Sequence, residues 1–265
     1  MHKVGILLAK EWLELRKQRW MLISLALLPL FFTLMPIGIM YAISQSPTQP
    51  PDPQTAELIR INSFLQGMND REVGQALIGQ QFSLFILIIP LMVPSVIAAY
   101  SIVGEKNNRT LEPLLATPIH VWELLLAKCL AAVAPALLLT LIAGIILSIG
   151  IRLTAVSASV VRAILNPGWM VLLILCSPIA AIITVMIIIA ISSRVNDPRS
   201  AQQISGLLVL PLVGLVFGQL FGGVAINPAL GLLIVLILGV MAIIMTLIAI
   251  WIFQREQILT RWSSK

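Results

Sequence analysis

Charged residues are scarce in this chain of 265 residues. Asp, Glu, Lys and Arg together make up 11% of the sequence, whereas soluble domains contain about 25%. Hydrophobic residues reach 59%, and this composition excludes an ordinary soluble domain. The net charge of +6 arises from basic residues in short segments between apolar runs. That distribution fits membrane topology signals and anionic headgroups, and it argues against nucleic acid as a partner.

Sequence motifs for catalysis and for nucleotide binding are missing. The chain has no GxxxxGK[ST] phosphate-binding loop, no HExxH and no GxSxG. Cys129 and Cys176 lie inside apolar runs without a cysteine–histidine cluster, which argues against a metal site. Ion-coupled transporters need ionisable residues at membrane depth, and the apolar runs show no such relay. We therefore predict no enzyme and no catalytic, cofactor-binding or metal site; uphill transport would draw its energy from a partner.

Long apolar runs are what the sequence does contain. A helix needs about 20 apolar residues to cross a bilayer, and six runs meet that length. Lys128 lies near one end of the third run, where its side chain is expected to extend toward the headgroups. The predicted fold is thus an all-α membrane protein with a six-helix domain over residues 20–253. The six predicted spans are 20–44, 82–103, 124–150, 169–192, 204–222 and 230–253.

The distribution of basic residues predicts the orientation of these spans. The N-terminal segment, the second and fourth loops and the tail, together with Lys128 just beyond the second loop, carry 13 Lys and Arg residues, and the opposite side carries 4. The positive-inside rule then places both termini in the cytoplasm, with residues 254–265 as a cytoplasmic tail.

Two segments outside the spans have helical spacing. Residues 1–19 predict a basic amphipathic helix at the inner interface, with Trp12 among its apolar residues. The predicted outer loop Gln45–Gln81 begins with four prolines and continues with Leu58, Ile61, Leu65 and Met68 at helical spacing. For that loop, an interfacial helix and a solvated loop remain equally good interpretations.

The inner loop after the second predicted span, residues 104–118, contains a short predicted helix. Thr110 can cap it, Glu112 suits its positive end, and Pro113 is tolerated in its first turn. Leu111, Leu114 and Leu115 give it an apolar side. On these features alone an ordinary solvated loop is the simpler interpretation.

The same loop resembles the signature of ABC-2 type permeases, which are the membrane subunits of type-2 ABC transporters and mostly exporters. The matching residues run from Gly104-Glu-Lys through Arg109-Thr-Leu-Glu-Pro-Leu-Leu to Thr117-Pro118. The segment Lys10–Glu14 is similar to the interfacial elbow helix of that family, and Ser193–Gln203 is similar to its second cytoplasmic loop. Asn107-Asn108 departs from the acidic residue and glycine that relatives often carry.

The resemblance implies a set of partners and contact residues. The partners would be cytoplasmic ABC ATPase subunits, which would bind ATP and Mg, and a second permease that is identical or homologous. This chain would hold no cofactor. The resemblance also implies that the loop helix couples the spans to the ATPase. The implied contact residues are Glu105, Arg109, Thr110, Leu111, Glu112, Leu114, Leu115, Thr117 and Pro118 in that loop, and Arg194, Asp197 and Arg199 in the second cytoplasmic loop.

Gly214, Gly218 and Gly222 form two overlapping GxxxG steps, a pattern that permits close approach of helices. Packing within the chain and a seam between two permeases both fit this face. The function we predict is the permease subunit of an ATP-driven exporter in the plasma membrane. The alternative is a membrane scaffold or assembly protein without transport activity, and the transported substrate is not predicted.

The predicted orientation can be tested by labelling single cysteines in a chain without its native cysteines. Residues 49 and 157 lie on the predicted outside, so Gln49→Cys and Ser157→Cys should react with an impermeant thiol reagent in intact cells. Asn107→Cys and Asn196→Cys should react only after the cells are opened. Labelling of Asn107→Cys from outside would reverse the assignment.

Overall fold

The computed structural model describes residues 2–47, 59, 65–108, 120–192, 200, 203, 206–220 and 228–252. Within these residues all regular structure is helical. In chain order the α-helices are α1 His2–Lys17, α2 Arg19–Gln45, α3 Asp70–Phe85, α4 Ile89–Asn107, α5 Val121–Thr154, α6 Ala158–Ile164, α7 Pro167–Val171, α8 Ser177–Ser192, α9 Leu210–Leu220 and α10 Pro228–Ile252. A 3₁₀ turn, Ile86–Ile88, joins α3 to α4; another, Gly206–Val209, leads into α9; a π-helical segment, Leu172–Cys176, joins α7 to α8.

Five helical stretches in the described residues are long and apolar enough to cross a membrane. They are Trp20–Gln45, Asp70–Lys106, Trp122–Thr154, Ala158–Ser192 and Pro228–Ile252. Each coincides with one predicted span, whereas the predicted span 204–222 coincides with a shorter apolar helix, Gly206–Gly218. An all-helical, multi-pass architecture is confirmed. The sixth crossing and the cytoplasmic placement of both termini stay predictions.

Helices α4, α5 and α8 pack together at the centre of the bundle, with α2 and α1 against α5 and α10 against α8. Small side chains line these contacts, and buried alanines allow the helix backbones to approach closely. Ala98 and Ala99 on α4, Ala132 and Ala136 on α5 and Ala181 on α8 are all buried in one hydrophobic cluster. Helix α10 by contrast leaves most of its side chains exposed, as a helix facing lipid would.

The second span begins earlier than predicted, because α3 starts at Asp70 and the predicted loop therefore ends well before Gln81. The backbone N–H of Asn69 donates to Glu72 at 2.8 Å, a capping-box contact that begins the helix. Leu65, fully buried, packs in a small cluster with Val73 and other residues of α3 and α6. Of the four apolar residues predicted to form an interfacial helix, Leu58 and Ile61 lie outside the described residues.

Gln75 joins three helices at the end of the bundle opposite α1. Its Nε2 donates to the carbonyls of Met40, at 2.8 Å, and Thr154, at 3.0 Å, and its Oε1 accepts from the N–H of Val156 at 2.9 Å. The side chain is fully buried. Since an unpaired amide in an apolar interior is costly, these three bonds explain how a polar residue is accommodated there.

Two crossings contain irregular segments, and each lies next to a proline. Pro90 has no N–H to donate to the carbonyl four residues earlier, that of Ile86, where the 3₁₀ turn begins. Pro178 likewise follows the π-helical segment, and the neighbouring Ser177 hydroxyl donates to the carbonyl of Leu173. Proline therefore accounts for the interruption of both helices.

Glycines elsewhere in the bundle make close helix contacts within the chain, whereas Gly214 makes none there, and the alternative of a seam between two permeases stays a prediction. A Cβ added to Gly150 would overlap the side chain of Ile37, so α2 and α5 cross there at short range. Gly214 is exposed, and a Cβ there would meet nothing within 4 Å. Gly214 is thus not part of a close contact within the described chain.

The contrast between Gly150 and Gly214 predicts different effects of one substitution. Gly150→Leu should lower the free energy of unfolding by about 1–3 kcal/mol, because it forces side chains into a filled contact. Gly214→Leu creates no such overlap within the described residues. Because replacing glycine by leucine raises helix propensity at either position, Gly214→Leu should leave stability unchanged or raise it. Unfolding of the purified proteins in detergent measures the difference. Equal destabilisation by the two changes would contradict the packing described here.

Candidate functional site: a buried ion-pair cluster

Four charged side chains from three helices meet at the α1 end of the bundle. Lys128 of α5 lies at the centre, with its Nζ 2.7 Å from Oε1 of Glu11 and 2.8 Å from Oε2 of Glu105. The ammonium group also donates to the hydroxyl of Ser101 at 2.7 Å. Lys10 pairs with the same Glu105 carboxylate. We call Lys10, Glu11, Glu105 and Lys128 the inner cluster.

The inner cluster is neutral, and three of its four members are deeply buried. Its two lysines balance its two glutamates, and Glu11, Glu105 and Lys128 are 5%, 4% and 3% exposed. Ser101 adds a hydrogen bond to Oε2 of Glu11 at 2.7 Å. Buried charges are tolerated when they are paired and hydrogen-bonded, and removing one partner is strongly destabilising. The arrangement therefore makes the position of α1 dependent on α4 and α5.

The pKa values of the two α1 groups reflect this pairing. Burial alone would raise the pKa of Glu11, but the charge and hydrogen bond of Lys128 outweigh burial and lower it below the usual 4.5. Burial would lower the pKa of Lys10, yet the hydrogen bond and charge of Glu105 outweigh burial and raise it. Because the folded-state pKa of Glu11 is depressed, its stabilisation is present above about pH 4.5 and is lost as the pH falls through the lower, folded-state value.

The structure corrects the expectation that Lys128 extends toward the headgroups. Carboxylates from α1 and α4 reach it inside the bundle, so its ammonium group is held there. Sequence periodicity could not reveal this, because Glu11 lies 117 positions away. The one available signal was a lysine inside an apolar run with glutamates at the ends of two neighbouring segments.

The inner cluster lies where the predicted coupling loop joins the bundle. Glu105 is two residues before the last residue of α4, Asn107, and α5 begins at Val121. Glu105 was predicted to contact a partner; its buried carboxylate is bound by two lysines of this chain, which favours a role within the chain. Contact between Glu105 and a partner stays a prediction.

Most of the predicted contact residues lie outside the described part of the chain, and their roles stay predictions. Of the three glycines predicted to form a packing face, Gly214 and Gly218 lie within α9, and Gly222 lies outside the described residues. The residues outside the description are Arg109, Thr110, Leu111, Glu112, Leu114, Leu115, Thr117, Pro118, Arg194, Asp197 and Arg199.

The helical bundle crosses the membrane several times, and charged side chains whose charges cancel lie at one end of it. This arrangement defines a polytopic membrane protein. A family model described as ABC-2 family transporter protein matches residues 6–234. The match covers most of the 265 residues, so the chain belongs to the ABC-2 transporter family, and the resemblance seen in the sequence is confirmed. It is a multi-pass permease of the plasma membrane. No curated protein matches the chain.

Removing the central lysine of the inner cluster should destabilise the protein. We expect Lys128→Met to lower the free energy of unfolding by about 3–5 kcal/mol at pH 7, because Glu11 loses its buried counter-charge. Glu11→Gln added to Lys128→Met should restore part of the loss, since no unpaired carboxylate remains. Unfolding in detergent measures both effects.

The exposed Lys17 of α1 provides the matched control, and Lys17→Met should change stability little. A double variant no more stable than Lys128→Met would show that Glu11 and Lys128 are not energetically coupled.

Proposed function

We propose that this chain is the permease subunit of an ATP-driven exporter, coupled through residues 104–118 to a separate cytoplasmic ATPase. The observation that carries the proposal is membership of the ABC-2 family, together with the position of that loop between two packed helices. The direction of transport follows the resemblance to permeases that are mostly exporters. ATP and Mg would be bound by the partner, and a second permease would complete the transport pathway.

Helices α4 and α5 would transmit motion of the loop to the bundle. These helices pack against each other in the core, and both have an end at the loop. A force applied to the loop therefore acts on two membrane crossings at once. The inner cluster extends that connection to α1, because Lys128 and Glu105 both bind its side chains. The loop and three helix ends would thus respond together when the ATPase changes shape.

The docking contact would be apolar at its centre. Leu111, Leu114 and Leu115 would be buried against the ATPase, and Arg109 would lie at the rim. Full burial of one leucine is worth about 1.5–3 kcal/mol, which corresponds to roughly 10- to 100-fold in affinity. A charge at one of these positions would remove that gain and add the cost of an unpaired buried charge.

Leu115→Asp should therefore weaken binding of the ATPase at least about tenfold, while Arg109→Ala should weaken it less. The measurement is pull-down of the partner ATPase by the purified permease, together with substrate-stimulated ATP hydrolysis. Val156→Asp adds the same charge at an exposed position at the opposite end of the bundle and should leave both readouts unchanged.

Normal binding and normal hydrolysis in Leu115→Asp would exclude this loop as the point of transmission. Absence of any ATPase from complexes of the unmodified chain, with transport also absent, would instead favour a scaffold.

A further inference from the structure

Two adjoining hollows lie between the α1–α2 junction and α4. Their volumes are about 340 Å³ and about 510 Å³, and both are lined by Met21 and Tyr100. We call the combined hollow the elbow groove. Its defining residues are Lys10, Glu14 and Lys17 at one end and Leu28, Met92 and Val96 at the other.

The two ends of the elbow groove differ in chemistry. At the α1 end the lining includes charged side chains, whereas Leu25, Leu28, Val93 and Val96 give the other end an apolar lining. Tyr100 lies at the junction and is 38% exposed, which suits a residue whose ring is apolar and whose hydroxyl is polar. A groove of this kind fits an amphiphile lying along the bundle, with its polar group beside α1.

The charges at the polar end specify the headgroup. Glu11 and Glu105 are already bound by Lys128, and Lys10 is bound by Glu105, which leaves Glu14 and Lys17 of α1 to meet a ligand. Lys10, Glu14 and Lys17 recur at i, i+4 and i+7, so they lie on one face of the helix in the order positive, negative, positive. Lys10 and Glu14 are close enough to pair, at 3.6 Å, and both remain partly exposed. A phosphate with an ammonium group beside it complements that pattern.

The length of the apolar part fits an acyl chain. From Met21 to Leu28 the helix rises about 10 Å, and one leaflet of the hydrocarbon core is about 15 Å thick. The apolar part can therefore hold about two-thirds of the length of one lipid tail.

We propose that the elbow groove binds one aminophospholipid of the phosphatidylethanolamine type from the leaflet on the α1 side. Its phosphate lies beside Lys17, its ammonium group faces Glu14, and one acyl chain runs beside Met21 and Val96. The bound lipid joins the α1–α2 corner to α4. This assignment does not depend on ATPase coupling or on the direction of transport.

The test is native mass spectrometry of the full-length protein, titrated with dioleoylphosphatidylethanolamine or with dioleoylphosphatidylcholine. The two lipids have the same tails and phosphate, but only the primary ammonium can donate hydrogen bonds to Glu14. We expect one ethanolamine lipid to bind about tenfold more tightly than the choline lipid. Glu14→Gln should abolish that preference, and Lys17→Gln should weaken both lipids by a similar factor.

Val96→Trp should fill the apolar part and remove the bound lipid. Ile243→Trp, at an exposed position on α10, is the matched control and should retain it. Glu14 and Lys17 lie on the surface, so their variants test the proposal even if Val96→Trp fails to fold. Equal retention of the two lipids, or an unchanged preference in Glu14→Gln, would overturn the proposal. So would loss of a dimer, rather than of lipid, in Val96→Trp, because the groove would then hold a second copy of the chain.

Discussion

The dominant constraint on this structure is the free-energy cost of leaving the ammonium group of Lys128 unpaired inside an apolar bundle. Two carboxylates, from Glu11 and Glu105, approach it to within 3 Å, and they come from helices on either side of α5. This requirement holds α1 against the bundle, together with the apolar packing of Leu7 in the hydrophobic cluster. It also explains why an amphipathic helix outside the spans carries a buried glutamate. Charge pairing in the inner cluster therefore helps to determine where α1 packs and also stabilises the fold.

The same constraint acts through neutral polar groups at the opposite end. Gln75 binds backbone groups of three segments, and Gln80 donates to the carbonyl of Ala163 at 3.0 Å. The indole N–H of Trp169 donates to the carbonyl of Ser83 at 3.2 Å. The carbonyls of Ser83, Thr154 and Ala163 lie in the last turn of a helix, where the helix leaves a carbonyl without a partner, and these side chains satisfy them. The bundle is therefore joined by charges at one end and by amide and indole hydrogen bonds at the other.

Sequence alone predicted the features that depend on local composition. The long apolar runs gave five crossings close to their observed positions, and the residues around Gly104–Pro118 indicated the family. Features that depend on distant partners were missed. The start of α3 at Asp70 has a local cap in Asn69 and Glu72, but its polar residues are accommodated only because other helices accept their hydrogen bonds. The spacing of Gly214 and Gly218 indicated a close contact, yet Gly150, without such a pattern, makes one. Lys128 has no acidic neighbour on its own helix face, so its pairing could not be read from periodicity.

The inner cluster also has a consequence for biogenesis. Proteins are synthesised from the N-terminus, and Glu11 precedes Lys128 by 117 positions, with Glu105 between them. Both anions have therefore been made, and one of them already belongs to the preceding crossing, when the helix that carries the cation reaches the membrane. The lysine can be neutralised as soon as its helix inserts. The opposite order would leave an unpaired ammonium group in hydrocarbon while the ribosome completed its partners, so the order of charges along the chain favours the insertion of α5.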